Sequence, residues 1–264
     1  MTIDLYRVSH SKVQAYFRCR KQFWFEYQSG LPRPEEPMNG PGIVGKGVHE
    51  ALRVLCETGR AALGRNELEI YLRMPDHIAL AGPGTEFYEI ASRAYAEGCM
   101  VHDSLPSLDR WAEQEADVRS EKLGIQLSAR VDRLDLLEGR KWQIIDWKTG
   151  RSDRDDATDA QLDIAHVAVR WQRRIPTSAV ITAIAWNLRT GRRRVRELLL
   201  KDAAATLDKF AAIAERLQAN NDRTATPGPY CSFCKWRPQC PEADRDAEPD
   251  WDDMEEDAPV VEDL

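Results

Sequence analysis

The sequence predicts an α/β domain in which a central sheet is flanked by helices. Helical spacing of apolar residues dominates the first part of the chain and returns at residues 157–172 and 201–220. Between these segments, apolar and polar residues alternate at 125–131, which is typical of a strand with one buried face. The chain order is therefore helices, three strands, one helix, further strands and a final helix. This order is typical of an α/β fold.

The N-terminal part is predicted to be mainly helical. The predicted segments are a helix at 11–27 capped by Ser11, a loop rich in Gly and Pro at 30–42, a helix at 43–58, and a helical stretch at 64–105 broken at MPDH and AGPG. We expect the stretch from about 60 to 110 to be a helical insertion into the domain.

Strand patterns continue after residue 131. The segment 142–146 alternates after a turn at Gly139. Residues 178–188 form an apolar run, and a turn at Gly191 leads from it into the basic strand RRRVREL. These segments are predicted to extend the sheet.

Charge divides the chain into two parts. Residues 243–264 contain eleven acids and one arginine, a formal charge of −10; since the whole chain carries −7, residues 1–242 carry +3. We expect 1–242 to be a single domain and 243–264 to be a disordered acidic tail. The tail either solubilises the protein, competes with DNA, or recruits a basic partner. A mildly basic body is compatible with a nucleic-acid partner.

No apolar segment of the sequence suits a membrane. The chain lacks the apolar run of roughly 18 residues that a membrane helix needs, and its first residues contain no apolar signal core. We therefore expect a cytoplasmic protein without a membrane partner.

A carboxylate and an ammonium group lie two positions apart in the segment IIDWKTG. Because side chains alternate along a strand, Asp146 and Lys148 project from the same face. A surface ion pair is the simpler explanation of this spacing. However, the preceding strand carries Asp132, and antiparallel pairing can bring the two carboxylates together. Close carboxylates repel unless a cation joins them, and such oxygen ligands suit Mg²⁺ or Mn²⁺.

This combination points to phosphodiester hydrolysis. A lysine beside a metal ion can orient a water molecule or stabilise charge that develops on a phosphate. His49, on the helix predicted at 43–58, is a candidate third ligand, and an imidazole would favour Mn²⁺ as well as Mg²⁺. A structural role is the alternative for a single helical histidine.

The order of these residues resembles the PD-(D/E)XK nuclease superfamily, and in particular its RecB-type branch. The segments that carry the resemblance are GKGVH, which ends at His49, ARVDRLD, which contains Asp132, DWKTG, which begins at Asp146, and QLDIA, which begins at Gln161. The resemblance extends over about residues 8–241. It implies a restriction-endonuclease-like core with a central mixed sheet flanked by helices, an N-terminal helical part and a C-terminal cysteine clip.

The resemblance also implies roles for individual residues. The implied ligands of Mg²⁺ or Mn²⁺ are His49, Asp132, Asp146 and the backbone carbonyl of Trp147. Lys148 would assist the attacking water, and Gln161 would help to position the site or the DNA. Glu115 would correspond to an upstream glutamate of the family.

Three positions depart from the family pattern. Ala129 stands where the family usually has Gly, and Trp147 stands in place of Tyr. Ala165 stands in place of a Tyr that usually supports DNA binding, which puts the handling of the substrate in doubt. The acids and the lysine of the motifs are all present, so activity is the expectation.

The segment YCSFCKWRPQC contains Cys231, Cys234 and Cys240 at close spacing. Three thiolates so close together indicate a metal site, and Cys19 on the first predicted helix is the candidate fourth ligand. Four thiolates suit either Zn²⁺ or an iron–sulfur cluster. The arrangement resembles iron–sulfur members of the same nuclease branch, which include AddB-type and CRISPR-associated nucleases. The resemblance implies a [4Fe–4S] cluster.

We call Cys19 and the segment 231–240 together the cysteine clip. Basic and aromatic residues flank both parts of this clip. They are Arg18, Arg20, Lys21 and Trp24 on one side, and Lys235, Trp236 and Arg237 on the other. These side chains would contact the phosphates and stack on the bases of a DNA strand. Alternatively, Trp24 and Trp236 pack around the cluster.

Together these features predict a metal-dependent DNA nuclease. We expect an exonuclease that acts on single-stranded DNA or duplex ends, in DNA repair or recombination, phage replication or CRISPR adaptation. Its partner in trans would be a helicase or a recombination or adaptation protein. One alternative is a non-catalytic DNA-binding or scaffold subunit that retains the fold and the cluster. Another is a zinc-clip interaction module, which would not explain the acids.

Overall fold

The computed structural model describes residues 5–150 and 155–247, so the predicted acidic tail lies outside the described residues from position 248 onward. In chain order the elements are β1 (Tyr6–Ser9), α1 (His10–Arg18), α2 (Arg20–Tyr27), α3 (Gly40–Thr58), α4 (Ala61–Leu72), α5 (Ile78–Ala81), α6 (Glu86–Ser104), β2 (Asp109–Ser120), β3 (Ile125–Leu137), β4 (Lys141–Lys148), α7 (Asp155–Gln172), β5 (Ile181–Asn187), β6 (Arg193–Leu198) and α8 (Leu200–Ala219).

The six strands form one mixed sheet. β2 pairs with β3 in antiparallel orientation, and β1 pairs with β3 in parallel. β4 pairs antiparallel with β3 and parallel with β5, and β6 closes the order as an antiparallel partner of β5. The predicted fold class, a central mixed sheet flanked by helices, is confirmed.

The ladder along β3 is interrupted on one side. β2 pairs with β3 from end to end, so β1 and β4 must share the other edge of β3. β1 pairs with residues 125–128 and β4 with residues 133–137. Among the described residues, 129–132 therefore have no strand partner on that edge. We call these four residues the open edge of β3.

Helices cover both faces of the sheet. The core formed by α3, α4 and α6 includes Ile145 and Trp147 of β4. The core on the opposite face joins Ile144 of β4 to Leu162 of α7, and α8 and α1 pack beside α7 in a third cluster. Because neighbouring residues of a strand point to opposite faces, β4 is buried on both sides. Its last residues therefore come out of the core between α3 and α7.

The helix predicted at 11–27 is wrong as a single helix. The chain breaks between α1 and α2 at Cys19, whose backbone is extended with φ −159° and ψ 117°. The Sγ of Cys19 accepts the N–H of Gln22 at 3.4 Å and so caps α2. Ser9, rather than the predicted Ser11, caps α1.

The other predicted segments differ from the structure mainly at their ends. α3 and α4 each begin three residues earlier than predicted, and α5 and α6 lie within the predicted helical stretch. The predicted turn before β4 is confirmed, and Gly139 makes it possible with a φ of +71°, which other residues seldom adopt. β1 and β2 have no counterpart among the predicted ranges.

Candidate active site

The candidate site lies where β4 leaves β3. The last pair of their ladder is Arg133 opposite Ile145. The next residues along the two strands are Asp132 and Asp146, so the register brings both predicted acids to the same point of the sheet. Asp132 also belongs to the open edge of β3.

Asp132 provides hydrogen bonding that a neighbouring strand would otherwise supply to β4. Its Oδ2 accepts the backbone N–H of Trp147 at 2.7 Å. Its Oδ1 lies 3.3 Å from Nδ1 of His49, on α3. The Nε2 of the same histidine lies 3.0 Å from the carbonyl oxygen of Trp147. The imidazole thus contacts two of the oxygen groups that were predicted as metal ligands.

Glu113 of β2 is a site residue that the sequence analysis missed. One possible ligand atom from each of His49, Glu113 and Asp132 lies within 4.8 Å of the other two. A nitrogen and two carboxylate oxygens at this separation suit a divalent ion such as Mn²⁺ or Mg²⁺. The donor set of the structure therefore fits the metal that the sequence predicted, with Glu113 as an additional donor.

The register between β2 and β3 explains why Glu113, rather than Glu115, lies at the site. Pairs on both sides of Glu113 follow one register, which places Glu113 opposite Asp132, whereas the predicted Glu115 pairs with Arg130. Glu113 has a φ of +47°, which is costly for a residue with a side chain, and such strain is concentrated at functional sites. An ion pair with Arg130 fixes its carboxylate.

Asp146 is enclosed by a lysine and a glutamine. Gln161, on α7, donates a 2.6 Å hydrogen bond to Oδ1 of Asp146, and its own Oε1 accepts Nζ of Lys148 at 2.7 Å. The same Nζ lies 2.9 Å from Oδ2 of Asp146. That Oδ2 is buried and carries the ion pair with Lys148, so a cation bound at this oxygen would share it with the ammonium group. The structure thus brings the predicted Asp146, Lys148 and Gln161 together.

The acids of the site affect the pKa values of their neighbours. Burial acts to lower the pKa of His49, but the charge and hydrogen bond of Asp132, together with the other acids of the site, outweigh it and raise that pKa to about 9. Burial likewise acts to raise the pKa of Asp132, but the charge and hydrogen bond of His49, the N–H of Trp147 and the charge of Lys148 together outweigh it, and the pKa is lowered. Burial raises the pKa of Asp146, and the Asp132 charge acts in the same direction. The acids of the site therefore favour bound positive charge, and a divalent cation would neutralise their mutual repulsion.

The four predicted cluster cysteines lie close enough to influence each other. Burial raises the pKa of the Cys234 thiol, the backbone N–H of Trp236 opposes this, and the charges of Cys19, Cys231 and Cys240 raise it further. None of the four forms a disulfide. Four reduced thiols that would repel one another when ionised fit a shared metal or cluster.

Long-range contacts join the two halves of the clip. The Sγ of Cys19 accepts the N–H of Thr226 at 3.4 Å as well as the capping bond within α2. Two residues later, the N–H of Lys21 donates to the carbonyl of Thr224 at 3.1 Å. The break in the helix therefore places Cys19 against the C-terminal segment.

Trp236 is packed in the interior and does not form part of the protein surface. It is 1% exposed, and its ring stacks on Phe25 with centroids 5.0 Å apart. Its indole N–H donates to Glu26 at 2.7 Å. This corresponds to the packing alternative for Trp236, because the ring has no open face for a base. Trp24 belongs to the same cluster, and the guanidinium of Arg223 lies 4.7 Å from its ring centroid.

The basic residues predicted to bind DNA all have intramolecular partners. Arg18 lies 5.0 Å from the ring centroid of Tyr230, and Arg20 lies 3.3 Å from that of Tyr16. Lys21 pairs with Glu242 at 3.1 Å. Lys235 pairs with Glu26 at 2.8 Å, and Arg237 donates to the backbone carbonyl of residue 245 at 2.6 Å. DNA contact by these residues stays a prediction.

Three comparisons place the chain among known proteins. A family model described as the PD-(D/E)XK nuclease superfamily matches residues 7–241. The crystal structure of SSO0001 is similar over 84% of this chain and 93% of its own, with 17% sequence identity and a TM-score of 0.34. No curated protein matches. No helix that the structure describes is both long and apolar enough to span a membrane. From the family match, the chain belongs to the PD-(D/E)XK nuclease superfamily.

Proposed function

We propose that the protein is a deoxyribonuclease that depends on Mg²⁺ or Mn²⁺. The observation that carries this proposal is the convergence at one strand end of two acids, Asp132 and Asp146, with Lys148, while His49 and Glu113 add further donor atoms. Membership of the nuclease superfamily supports the same reaction.

The residues of the site have complementary roles in this proposal. The metal would be bound by His49, Glu113, Asp132 and Asp146, with the carbonyl of Trp147 as a further oxygen donor. A bound divalent ion would act as a Lewis acid toward the phosphate and its attacking water. To serve as a ligand, the imidazole would give up one of its present contacts, with the Asp132 carboxylate or with the Trp147 carbonyl.

Lys148 and Gln161 would act on the substrate side. The Lys148 ammonium lies beside Asp146 and Gln161, so its position is fixed from two directions. From there it would orient the water and stabilise negative charge on the phosphate. Gln161 would hold the lysine and the carboxylate in register, since it donates to one and accepts from the other.

We further propose that the enzyme is an exonuclease on single-stranded DNA or duplex ends. It would serve DNA repair or recombination, phage replication or CRISPR adaptation, with a helicase or an adaptation protein supplied in trans. The family match supports a DNA substrate. End-labelled DNA would distinguish this mode from internal cleavage.

The test compares two lysines of one strand. Wild type, Lys148→Ala and Lys141→Ala would be incubated with 5′- or 3′-labelled single-stranded and duplex DNA and Mn²⁺. Lys141 is exposed at the opposite end of β4, so it is a matched control. We expect cleavage to be lost only in Lys148→Ala, by at least about 100-fold, which is typical of a group that acts on proton transfer or charge. Equal rates for the two variants would contradict the catalytic role.

For the clip, we propose a [4Fe–4S] cluster bound by Cys19, Cys231, Cys234 and Cys240. Each of the other three cysteines acts on the pKa of the Cys234 thiol, and four thiols so close together can bind either Zn²⁺ or an iron–sulfur cluster. The resemblance of the cysteine spacing to that of iron–sulfur nucleases supports the cluster. Iron, sulfide and zinc contents after anaerobic purification decide between the two.

A further inference from the structure

A groove of about 270 Å³ continues from the candidate site along the open edge of β3. Residues of β1, β2, β3, the start of α1 and α7 line it, and Gln161 belongs both to the groove and to the contacts of Asp146. The groove exists because β1 and β4 separate on the same edge of β3. A substrate held at the metal site would therefore have this space beside it.

The lining of the groove is polar but has little net charge. Its arginines are Arg7 and Arg130, and its acids are Glu115 and Asp117. Arg130 is already paired with Glu113, outside this lining. A surface that follows a phosphate backbone needs an excess of positive charge, and this groove has none among its Asp, Glu, Lys and Arg side chains. The groove therefore suits a neutral part of a nucleotide better than its phosphate.

The available groups match the edge of a nucleobase. A carboxylate accepts a hydrogen bond from an exocyclic amino group such as N4 of cytosine, and an arginine donates to ring nitrogens and carbonyls. Glu115 and Asp117 supply two carboxylates, and Arg7 is fixed by a 2.9 Å hydrogen bond from its Nε to Ser128, which leaves its terminal nitrogens to donate. In a duplex, the pairing edge of the base is already bonded to its partner strand.

We propose that this groove binds the unpaired base of a nucleotide next to the scissile phosphate, with Glu115 and Asp117 as the acceptors that recognise it. This inference rests on the proposed nuclease function and extends it, because it makes the substrate single-stranded at that nucleotide. It also gives Glu115 a role that differs from metal binding.

Binding in the absence of cleavage tests the inference. Fluorescence anisotropy with EDTA present would compare a labelled cytosine oligonucleotide of about ten residues, its abasic analogue of the same length, and its duplex. The proteins would be wild type, Glu115→Ala/Asp117→Ala, and Asp109→Ala as an exposed acid of the same strand outside the groove.

The direction in which the double variant changes oligonucleotide affinity distinguishes base recognition from repulsion of phosphate. If the acids accept hydrogen bonds from the base, removing them weakens binding of the cytosine strand by about 3- to 10-fold, that is by about 0.6–1.4 kcal/mol, which is the typical contribution of one hydrogen bond. The abasic strand would be unaffected or would bind more tightly. If the acids merely repel phosphate, affinity rises for both strands, and the inference is overturned. A loss that is equal for both strands, or is also seen in Asp109→Ala, overturns it as well.

The two proposals fail in different ways. If the wild type cleaves DNA, but the double variant changes the affinity for cytosine and abasic strands equally, the nuclease function stands and the base groove is excluded. If the wild type never cleaves DNA, but the double variant loses base-dependent binding, the base groove stands and the nuclease function is excluded. A duplex that binds as tightly as the single strand, with the same response to the variant, overturns the single-strand requirement.

Discussion

The backbone N–H of Trp147 donates a 2.7 Å hydrogen bond to Oδ2 of Asp132, so a side chain of β3 completes the bonding of β4 where the two strands separate. The other oxygen of the same carboxylate lies 3.3 Å from the imidazole of His49. Asp132 therefore has a structural role and a charge-dependent role, and substitution can separate them.

Asp132→Asn should abolish cleavage and destabilise the fold less than Asp132→Ala does, because the amide oxygen still accepts the N–H of Trp147 while the charge is lost. Asp132→Ala should lose both, and the unsatisfied N–H should cost about 1–3 kcal/mol of unfolding free energy. Urea unfolding and cleavage rates, measured side by side, check this. Equal stability of the two variants would show that the hydrogen bond is not needed.

The register of β2 predicts that Glu113 and Glu115 differ in function although they lie two positions apart. Glu113→Gln should weaken Mn²⁺ binding by about tenfold or more, because it removes a charged donor from the group with His49 and Asp132. Glu115→Gln should leave Mn²⁺ affinity within about twofold of wild type, since Glu115 faces Arg130 instead. Titration calorimetry with Mn²⁺ measures both affinities, and the reverse ranking would make Glu115, rather than Glu113, the ligand from β2.

The position of Cys19 at a helix start allows its two roles to be separated. Serine is a good N-cap residue, so Cys19→Ser should keep α2 intact in the metal-free protein. It should nevertheless lower the iron or zinc content strongly, because a thiolate ligand is lost. Metal analysis and the stability of the chelated protein check the two effects, and Cys56→Ser, outside the clip, is the control. An unchanged metal content would exclude Cys19 as a ligand.

A buried charge network supports β3 on the face away from Asp132. Asp135 is 0% exposed and accepts hydrogen bonds from Nε and Nη2 of Arg133, the shortest at 2.6 Å, and another from Arg110 at 3.1 Å. Asp135→Asn would leave these arginines uncompensated and should cost about 3–5 kcal/mol. Urea unfolding measures the loss, and the exposed Asp109→Asn on β2 controls for the removal of one charge. A loss below about 1 kcal/mol would contradict the network's importance.

His166 predicts how acid affects stability. Burial lowers its pKa to about 4, and Arg170 acts in the same direction by donating to its Nε2 at 3.0 Å. In the unfolded chain the pKa is about 6.5, so between pH 6.5 and 4 only the unfolded state takes up this proton. Stability should fall by about 3 kcal/mol over that window as pH decreases. His166→Gln, which can still accept the Arg170 bond, should flatten this part of the curve, and parallel curves would contradict the assignment.

Local pattern was sufficient to predict β4 and the turn before it. The alternation up to Asp146 and the turn at Gly139 are encoded within a few residues, and the structure confirms both. β2 was not predicted because two of its buried positions are the alanines Ala112 and Ala116, which give only a weak period-two signal. Local pattern therefore identified the strand that carries Asp146 and Lys148 but not the neighbouring strand that carries Glu113.

Two features could not be derived from the sequence because they depend on distant residues. Whether residue 113 or 115 faces Asp132 depends on the register between two strands, which no local pattern determines. The segment around Cys19 has continuous helical spacing, and its break coincides with contacts to residues 224 and 226, some 200 positions later in the chain. In both cases tertiary contacts override local preference.

The clip has a consequence for the order of events during synthesis. Phe25 and Glu26 receive their packing and hydrogen-bond partners from Lys235 and Trp236, near the end of the domain. Helices near the N-terminus would therefore stay incompletely packed on the ribosome until almost the entire domain has emerged. Release of a truncated chain would leave the ring of Phe25 uncovered, and cellular quality control could recognise unfinished copies by this exposed aromatic surface.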